Sequence, residues 1–161
     1  MVYDDTSKTY VAIFNNKNIR MWHKEENDLD KVKKFKFPSH IHTILTLKNT
    51  ATILVMQNGA TISLQMALEN RKNWSSNGIL KPSEKIVKCQ LVQLRDKTHL
   101  CAITIIDDAC HFISIPLETD NFTGNVDQII RIELRRSAEK LIGYVVLSTD
   151  NDIYLLTLCK I

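Results

Sequence analysis

The sequence predicts an all-β chain folded as a partial β-propeller of about three and a half four-stranded blades. Three observations lead there. Short apolar runs alternate with polar residues: Ile62, Leu64 and Met66 around Ser63 and Gln65; Ile130, Ile132 and Leu134 around Arg131 and Glu133; Phe35 and Phe37 around Lys34 and Lys36. A period of two sends successive side chains to opposite faces of a half-buried sheet. β-branched and aromatic residues crowd these same runs, as a pleated surface prefers. Finally, a strand–turn–strand unit recurs, with its turn at Asn16, Asn58, Asp107 and Asp150, at intervals of about 42 to 49 residues, close to the length of a four-stranded propeller blade.

In chain order, the first hairpin joins Tyr10–Phe14 to Ile19–Trp22, and the second joins Thr52–Met56 to Ala60–Met66 through Asn58-Gly59. The third joins His99–Ile106 to Cys110–Leu117 through Asp107-Asp108, and the fourth joins Leu141–Leu147 to Ile153–Cys159. Further strands are expected at Val32–Phe37, Ile41–Leu47, Ile86–Leu94 and Val126–Arg135, and short helical turns at Met66–Asn73 and Ser137–Leu141. The blades fall at 1–37, 38–83, 84–136 and 137–161. The first is expected to lack its outermost opening strand and the last to stop after a hairpin. Propellers close with four to eight blades, so the count predicts a fragment of a longer propeller, with Met1 as an internal methionine. The competing fold is a sandwich, whose turns would come every 8–12 residues without the longer period.

Composition excludes several classes. Hydrophobic residues make up 44% and charged residues 24%, with Gly 4 and Pro 3, which argues against disordered, collagen-like and linker-like chains. The 21 basic and 18 acidic residues leave a net charge of +3, too small by itself to announce a polyanion partner. No basic-then-apolar leader opens the sequence, and no apolar window approaches the ~18 residues of a membrane span. Cys89, Cys101, Cys110 and Cys159 form no paired CxxC spacing. They are expected as small buried thiols, not as zinc ligands or a disulfide framework. The sequons at Asn73 and Asn121 carry little weight without a leader.

The residue types that could support chemistry do not assemble into a catalytic pattern. His40 and His42 would share one face of a strand, but a third metal ligand is not visible nearby. Cys110 and His111 are neighbours on a strand, so they point to opposite faces and do not act as nucleophile and base. Asp107-Asp108 sits between two apolar strands, where aspartates form turns. Nucleophile-elbow, phosphate-loop and dinucleotide glycine patterns are not found. The expectation is a protein that is not an enzyme and needs no cofactor, metal or small-molecule substrate.

The stretch 10–37 reads YVAIFNNKNIRMWHKEENDLDKVKKFKF. It resembles the nucleolar protein eleven family, in which a strand ending in a polar turn precedes an "xRIW" strand, an acidic loop and "NLDKV". Here those features are Ile19-Arg20-Met21-Trp22, Glu25–Asp28 and Asp28-Leu29-Asp30-Lys31-Val32. The order of Ile41–Leu47 and Thr52–Met66 is also similar, so the likeness covers about the first 70 residues. The resemblance implies a divergent WD-repeat-like propeller and a nucleolar, nuclear scaffold of the small-subunit processome. Its partners would be other processome subunits, and its role support of rDNA transcription and of pre-rRNA processing for the small ribosomal subunit. The alternative is a propeller interaction module of another intracellular complex, such as a vesicle coat or the RNA 3′-end machinery; a small ligand-binding barrel is a third class. Trp22 is followed by His23 where a WD repeat has Asp, and a Gly-His opening is missing, so a polar network between strands is not expected. Trp22 itself is expected as a packed structural residue of its blade.

Two basic runs are the candidate contacts to a partner or to pre-rRNA: Lys31, Lys33, Lys34 and Lys36, with Lys24 upstream, and Arg131, Arg135 and Arg136, with Lys140 nearby. The competing role of such runs is to guard an exposed sheet edge. Phe35 and Phe37 alternate with the lysines and are assigned to the buried face.

Overall fold

The computed structural model describes residues 1–25, 28, 31–69, 78–137, 141–149 and 151–160, without the side chains of 135–137, 141, 142 and 159. The chain divides into two compact units, Met1–Asn77 and Gly78–Ile161. All the strand pairs are antiparallel, and in every sheet neighbours in sequence are neighbours in space.

In the first unit, β1 (Val2–Asp4), β2 (Thr9–Phe14), β3 (Asn18–His23) and β4 (Lys33–Lys36) form one sheet in the order β1-β2-β3-β4. Val2–Asp4 therefore supplies a fourth strand, where the sequence pattern predicts that the opening strand is missing. A three-residue run is too short to show a period, and its pairing of Val2 with Val11 and Asp4 with Thr9 depends on β2 being present. A second sheet joins β5 (Ile41–Leu47), β6 (Ala51–Met56) and β7 (Thr61–Ser63). The expected strand Ala60–Met66 stops at Ser63, and helix α1 runs from Leu64 to Glu69. Ser63 Oγ accepts the Met66 N–H at 3.2 Å, an N-cap bond, and the residues beyond it are good helix formers. The spacing of Ile62, Leu64 and Met66 fits a strand; in the helix, Leu64 and Ala67 are the buried pair. Asn70–Asn73, the rest of the expected helical segment, lies outside the described residues.

Val11, Ile19 and Met21 from the first sheet, with Phe37 just after β4, pack with Ile41, Ile44, Leu54, Met56 and Ile62 from the second, and α1 adds Leu64 and Ala67. Phe37 is buried and Phe35 half-buried against this core, as their alternation with the lysines predicts. The turn between β2 and β3 also anchors the next sheet: Lys17 O accepts the Phe37 N–H at 2.8 Å and Asn16 O the Ile41 N–H at 2.6 Å. Asn15 and Asn16 hold that turn at φ 51° and 56°, a left-handed conformation that asparagine tolerates better than most residues.

A polar network that no sequence pattern signals lies beside this core. Asp4 is buried. The Ser7 hydroxyl donates to its Oδ2, the Ser7 N–H donates to the same oxygen at 2.9 Å, and Thr52 Oγ1 on β6 donates to Oδ1 at 2.6 Å. Thr9 Oγ1 lies 2.5 Å from Ser7 Oγ and donates to it, because the Ser7 proton is committed to Asp4. Burial pushes the Asp4 carboxyl up, but the Ser7, Thr52 and Thr6 donors outweigh it and hold it below its ordinary value. The bond to Thr52 joins the two sheets of this unit.

In the second unit, β8 (Lys85–Leu94), β9 (Lys97–Ile106), β10 (Ala109–Pro116) and β11 (Ile130–Ser137) form a four-stranded sheet, and β12 (Leu141–Ser148) pairs with β13 (Ile153–Cys159). Ile106 faces Ala109 across a two-residue turn in which Asp107 and Asp108 have φ 49° and 61°, the doubly left-handed conformation of a tight hairpin. Val126–Gln128 is a 3₁₀ turn capped by the Asn125 side chain, so the fourth strand starts at Ile130 and not at Val126. The helical turn expected at Ser137–Leu141 is not present at its ends, which close β11 and open β12; its middle, 138–140, lies outside the described residues.

β11 departs from the inside–outside reading of its alternation at its start, although Leu134, of the same parity, packs against the core. Ile130 and Ile132 are 56% and 50% exposed, while Arg131 turns inward to Glu84. Arg131 Nη1 is 2.5 Å from Glu84 Oε1 and Nη2 is 3.0 Å from Oε2, with the two side chains 21% and 0% exposed. Thr104 Oγ1 and the Lys81 N–H also donate to Glu84, at 2.5 and 2.9 Å. Tyr144, Val146, Ile153 and Leu155 pack one face of the β12–β13 pair against Val92, Cys101, Ile103 and Phe112. Its other face carries Val145, Leu147, Tyr154, Leu156 and Leu158, all about half exposed or more.

This packing sets four measurable outcomes. Replacing Thr52 with Val strands the buried Asp4 Oδ1 and should lower unfolding free energy by about 1–3 kcal/mol, read by denaturant titration. Glu84 is pushed up by burial, yet the Arg131, Thr104 and Lys81 donors hold its carboxyl below the ordinary 4.5. A lowered carboxylate stabilises fully above its unfolded value and loses that contribution as pH falls through the folded one. Thermal unfolding should therefore be steeper in pH below 4.5 for the parent than for Glu84→Gln, and Arg131→Met should cost about 3–5 kcal/mol at neutral pH. The bare face of β12–β13 should make the chain self-associate at micromolar concentration, and Leu156→Lys with Leu158→Lys should shift sedimentation toward the monomer.

Candidate functional site

β4 is the last strand of its sheet, paired through Asn18↔Lys36, Ile19↔Phe35, Arg20↔Lys34 and Met21↔Lys33. Lys33, Lys34 and Lys36 are exposed along this edge. Side-chain parity divides them: Lys33 shares a face with Phe35, whereas Lys34 and Lys36 point the other way. Lys31 is exposed just before the strand and its N–H donates to Asp28 O at 3.1 Å. Of the acidic loop expected from the resemblance at Glu25–Asp28, positions 26 and 27 lie outside the described residues, as do 29 and 30 of the motif that follows.

The second basic run is not equivalent to the first. The Arg131 guanidinium is engaged with Glu84 in a bidentate pair, so it serves the interior of its sheet. Arg135 and Arg136 lie on β11, and their side chains, like Lys140, are outside the described residues. Only the four lysines of the first run are brought together, among the described residues, as an exposed cationic edge.

The face of β1–β4 turned away from the core carries a second feature. Tyr3 faces Tyr10, and Tyr10 faces Trp22, across three consecutive strands. The Tyr3 and Tyr10 rings meet edge to face at 5.2 Å between centroids, and Tyr10 and Trp22 stack at 5.9 Å. Each ring is half-buried. Trp22 is thus half-buried and packed against Tyr10 as a member of this aromatic row. In the next rows of this face stand Ala12, Arg20 and Lys34, then Phe14, Asn18 and Lys36. Arg20 lies over the Phe14 ring, with its guanidinium carbon 3.8 Å from the centroid, a cation–π contact. Alternation in β2 and β3 does mark Tyr10, Arg20 and Trp22 as sharing a face; Tyr3 carries no such signal, because β1 is too short to alternate.

His40 Nδ1 lies 3.2 Å from Gln57 Oε1, and the register slips between Ile41 and Thr43, which makes His42 the extra residue of a bulge. A bulge breaks the two-residue repeat, so the two imidazoles do not form the simple same-face pair expected from spacing. Burial lowers the pKa of His42. Among the described residues, no three His, Cys, Asp or Glu side chains converge to hold a metal ion. Burial pushes the thiols of Cys89 and Cys101 up to about 11, which leaves them unreactive. Cys101 also donates a weak hydrogen bond to Ser114 Oγ at 3.7 Å, and Cys110 is buried.

Compared with known proteins, the chain matches neither a curated protein nor a solved structure. It does match the family model of the nucleolar protein 11 N-terminal domain, over residues 1–160. With the strand order, the Ile19–Trp22 strand and the lysine edge already accounted for, that match over nearly the whole chain establishes that the protein belongs to the nucleolar protein 11 family.

Proposed function

We propose that the protein acts as a non-catalytic scaffold of the small-subunit processome, supporting rDNA transcription and pre-rRNA processing. The match over residues 1–160 carries this reading. Membership in the family puts the protein in the nucleolus and in ribosome biogenesis, among proteins that are not a known enzyme family and that work with protein partners in a complex. The physical support is a run of antiparallel sheets in which neighbours in sequence are neighbours in space, the way propeller blades are built. On this reading the segments 1–37, 38–83, 84–136 and 137–161 are successive blades of a partial, WD-repeat-like propeller. The cationic edge at Lys31, Lys33, Lys34 and Lys36 is then the contact to pre-rRNA or to an acidic surface of another processome subunit, and Arg135 and Arg136 belong to the same class of contact.

Depletion of the protein in cells should lower nascent pre-rRNA and mature small-subunit rRNA together. Unchanged levels of both would remove the transcription and processing roles and favour an interaction module of another complex. In vitro, changing Lys33, Lys34 and Lys36 together to Glu should weaken RNA association. The salt dependence of binding should also flatten, by about one unit for each phosphate that is no longer neutralised.

A further inference from the structure

The free edge of β4 sets outward backbone groups among three exposed lysines, and we infer that it takes an acidic, extended segment of a protein partner as an added antiparallel strand. That segment would place an acid, an apolar residue and two further acids opposite Lys36, Phe35, Lys34 and Lys33. This deepens the scaffold reading above, on which it rests for the presence of a protein partner. Sheets of a propeller stack through their faces, so this edge stays accessible with neighbouring blades in place.

Backbone phase identifies the free groups. The Phe37 N–H donates to Lys17 O at 2.8 Å, and these two residues continue the register Asn18↔Lys36, Ile19↔Phe35, Arg20↔Lys34 and Met21↔Lys33. Antiparallel pairs alternate between those that exchange both hydrogen bonds and those that exchange none. Lys33, Phe35 and Phe37 therefore turn their N–H and C=O toward β3. Lys34 and Lys36 turn theirs the other way, to the side where the sheet order ends. The next outward position is Pro38, which has no N–H, so the ladder stops there. The side chains follow the same alternation. Lys34 and Lys36 share one face and Lys33 shares the other with half-buried Phe35. All three lysines are exposed, and among the described residues none of the three forms an ion pair.

Backbone and charge together select the occupant. The phosphates of RNA offer acceptors only, so they answer the ammoniums and the outward N–H groups but leave the Lys34 and Lys36 carbonyls facing negative charge. A peptide strand supplies a donor for each carbonyl and an acceptor for each N–H. A second copy of β4 would set lysine against lysine, and like charges directly opposite destabilise a strand pair. The lysines thus turn away most strands and admit one whose carboxylates answer them, so the same charges exclude and choose. An antiparallel partner runs from Lys36 back to Lys33, which fixes the order acid, apolar, acid, acid, with the apolar residue beside Phe35.

The test uses the full chain and a fluorescent peptide with Glu-Val-Glu-Glu at its centre, read by anisotropy. The peptide should bind, and Lys34→Gln with Lys36→Gln should weaken it about fivefold. N-methylation of its first or third glutamate, whose N–H groups face Lys36 and Lys34, should weaken binding about tenfold. N-methylation of the valine or of the last glutamate, whose N–H groups point away, should leave it within about twofold. All four methylated peptides carry the same charge, so this period of two separates an added strand from plain attraction. Lys34→Glu with Lys36→Glu should lose this peptide and gain one with Lys-Val-Lys-Glu, a rescue that a misfolded variant does not give. Equal weakening by all four methyl groups, or by none, overturns the added strand and leaves a diffuse cationic contact. Failure of the peptide to bind overturns it too, and the scaffold role is then decided by the depletion result alone. If oligouridylate displaces the peptide and binds the edge more tightly, the edge is an RNA contact and the inference falls. Peptide binding with the period of two, but unchanged rRNA on depletion, would keep the strand site and remove the processome reading instead.

Discussion

A buried carboxylate survives in a protein only where donors surround it, and each unit of this chain is organised about one such group. Asp4 gathers Ser7 and Thr52, with Thr9 completing the chain of hydroxyls; Glu84 gathers Arg131, Thr104 and the Lys81 amide. In both cases some of the donors come from segments far away in sequence, so the charge is satisfied only when the strands are in register. Apolar alternation tolerates sliding along a strand by two residues, because the same face still points inward. The carboxylate does not tolerate it. Its desolvation cost is met only at one alignment, and this converts a general preference for packed sheets into a specific one.

That requirement has consequences for which side chains remain for partners. Arg131 belongs to a basic run that looks solvated in sequence, but Glu84 claims it, while the two isoleucines beside it are about half exposed. β4 shows no such pairing to a buried acid among the described residues, and its lysines stay at the edge. There they perform two tasks with one charge: they discourage pairing with another strand, and they hold positive potential where a polyanion can approach.

The first sheet is two-sided in chemistry as well as in geometry. One parity of β2 and β3 supplies the core, and the other supplies aromatic rings and cations. Apolar residues on a sheet surface are normally removed by packing, yet the Tyr3–Tyr10–Trp22 row is partly covered by its own stacking, with Arg20 over Phe14 beside it. The same cross-strand contacts that stiffen the sheet therefore leave a rigid, half-open surface.

Local sequence was enough to establish the all-β class, the hairpins with turns at Asn58-Gly59 and Asp107-Asp108, the inward direction of Phe35 and Phe37, and the family to which the Ile19–Trp22 strand belongs. These are short-range properties: a period of two, a residue that accepts positive φ, a short string of residues. Tertiary structure decided the rest. Val2–Asp4 is a strand because β2 lies beside it; His42 leaves the repeat because β5 bulges against β6. Arg131 faces inward because a carboxylate 47 positions away in sequence is buried within reach of it. No window of sequence contains both members of such a pair, and the energy that orients each side chain exists only after the strands have met.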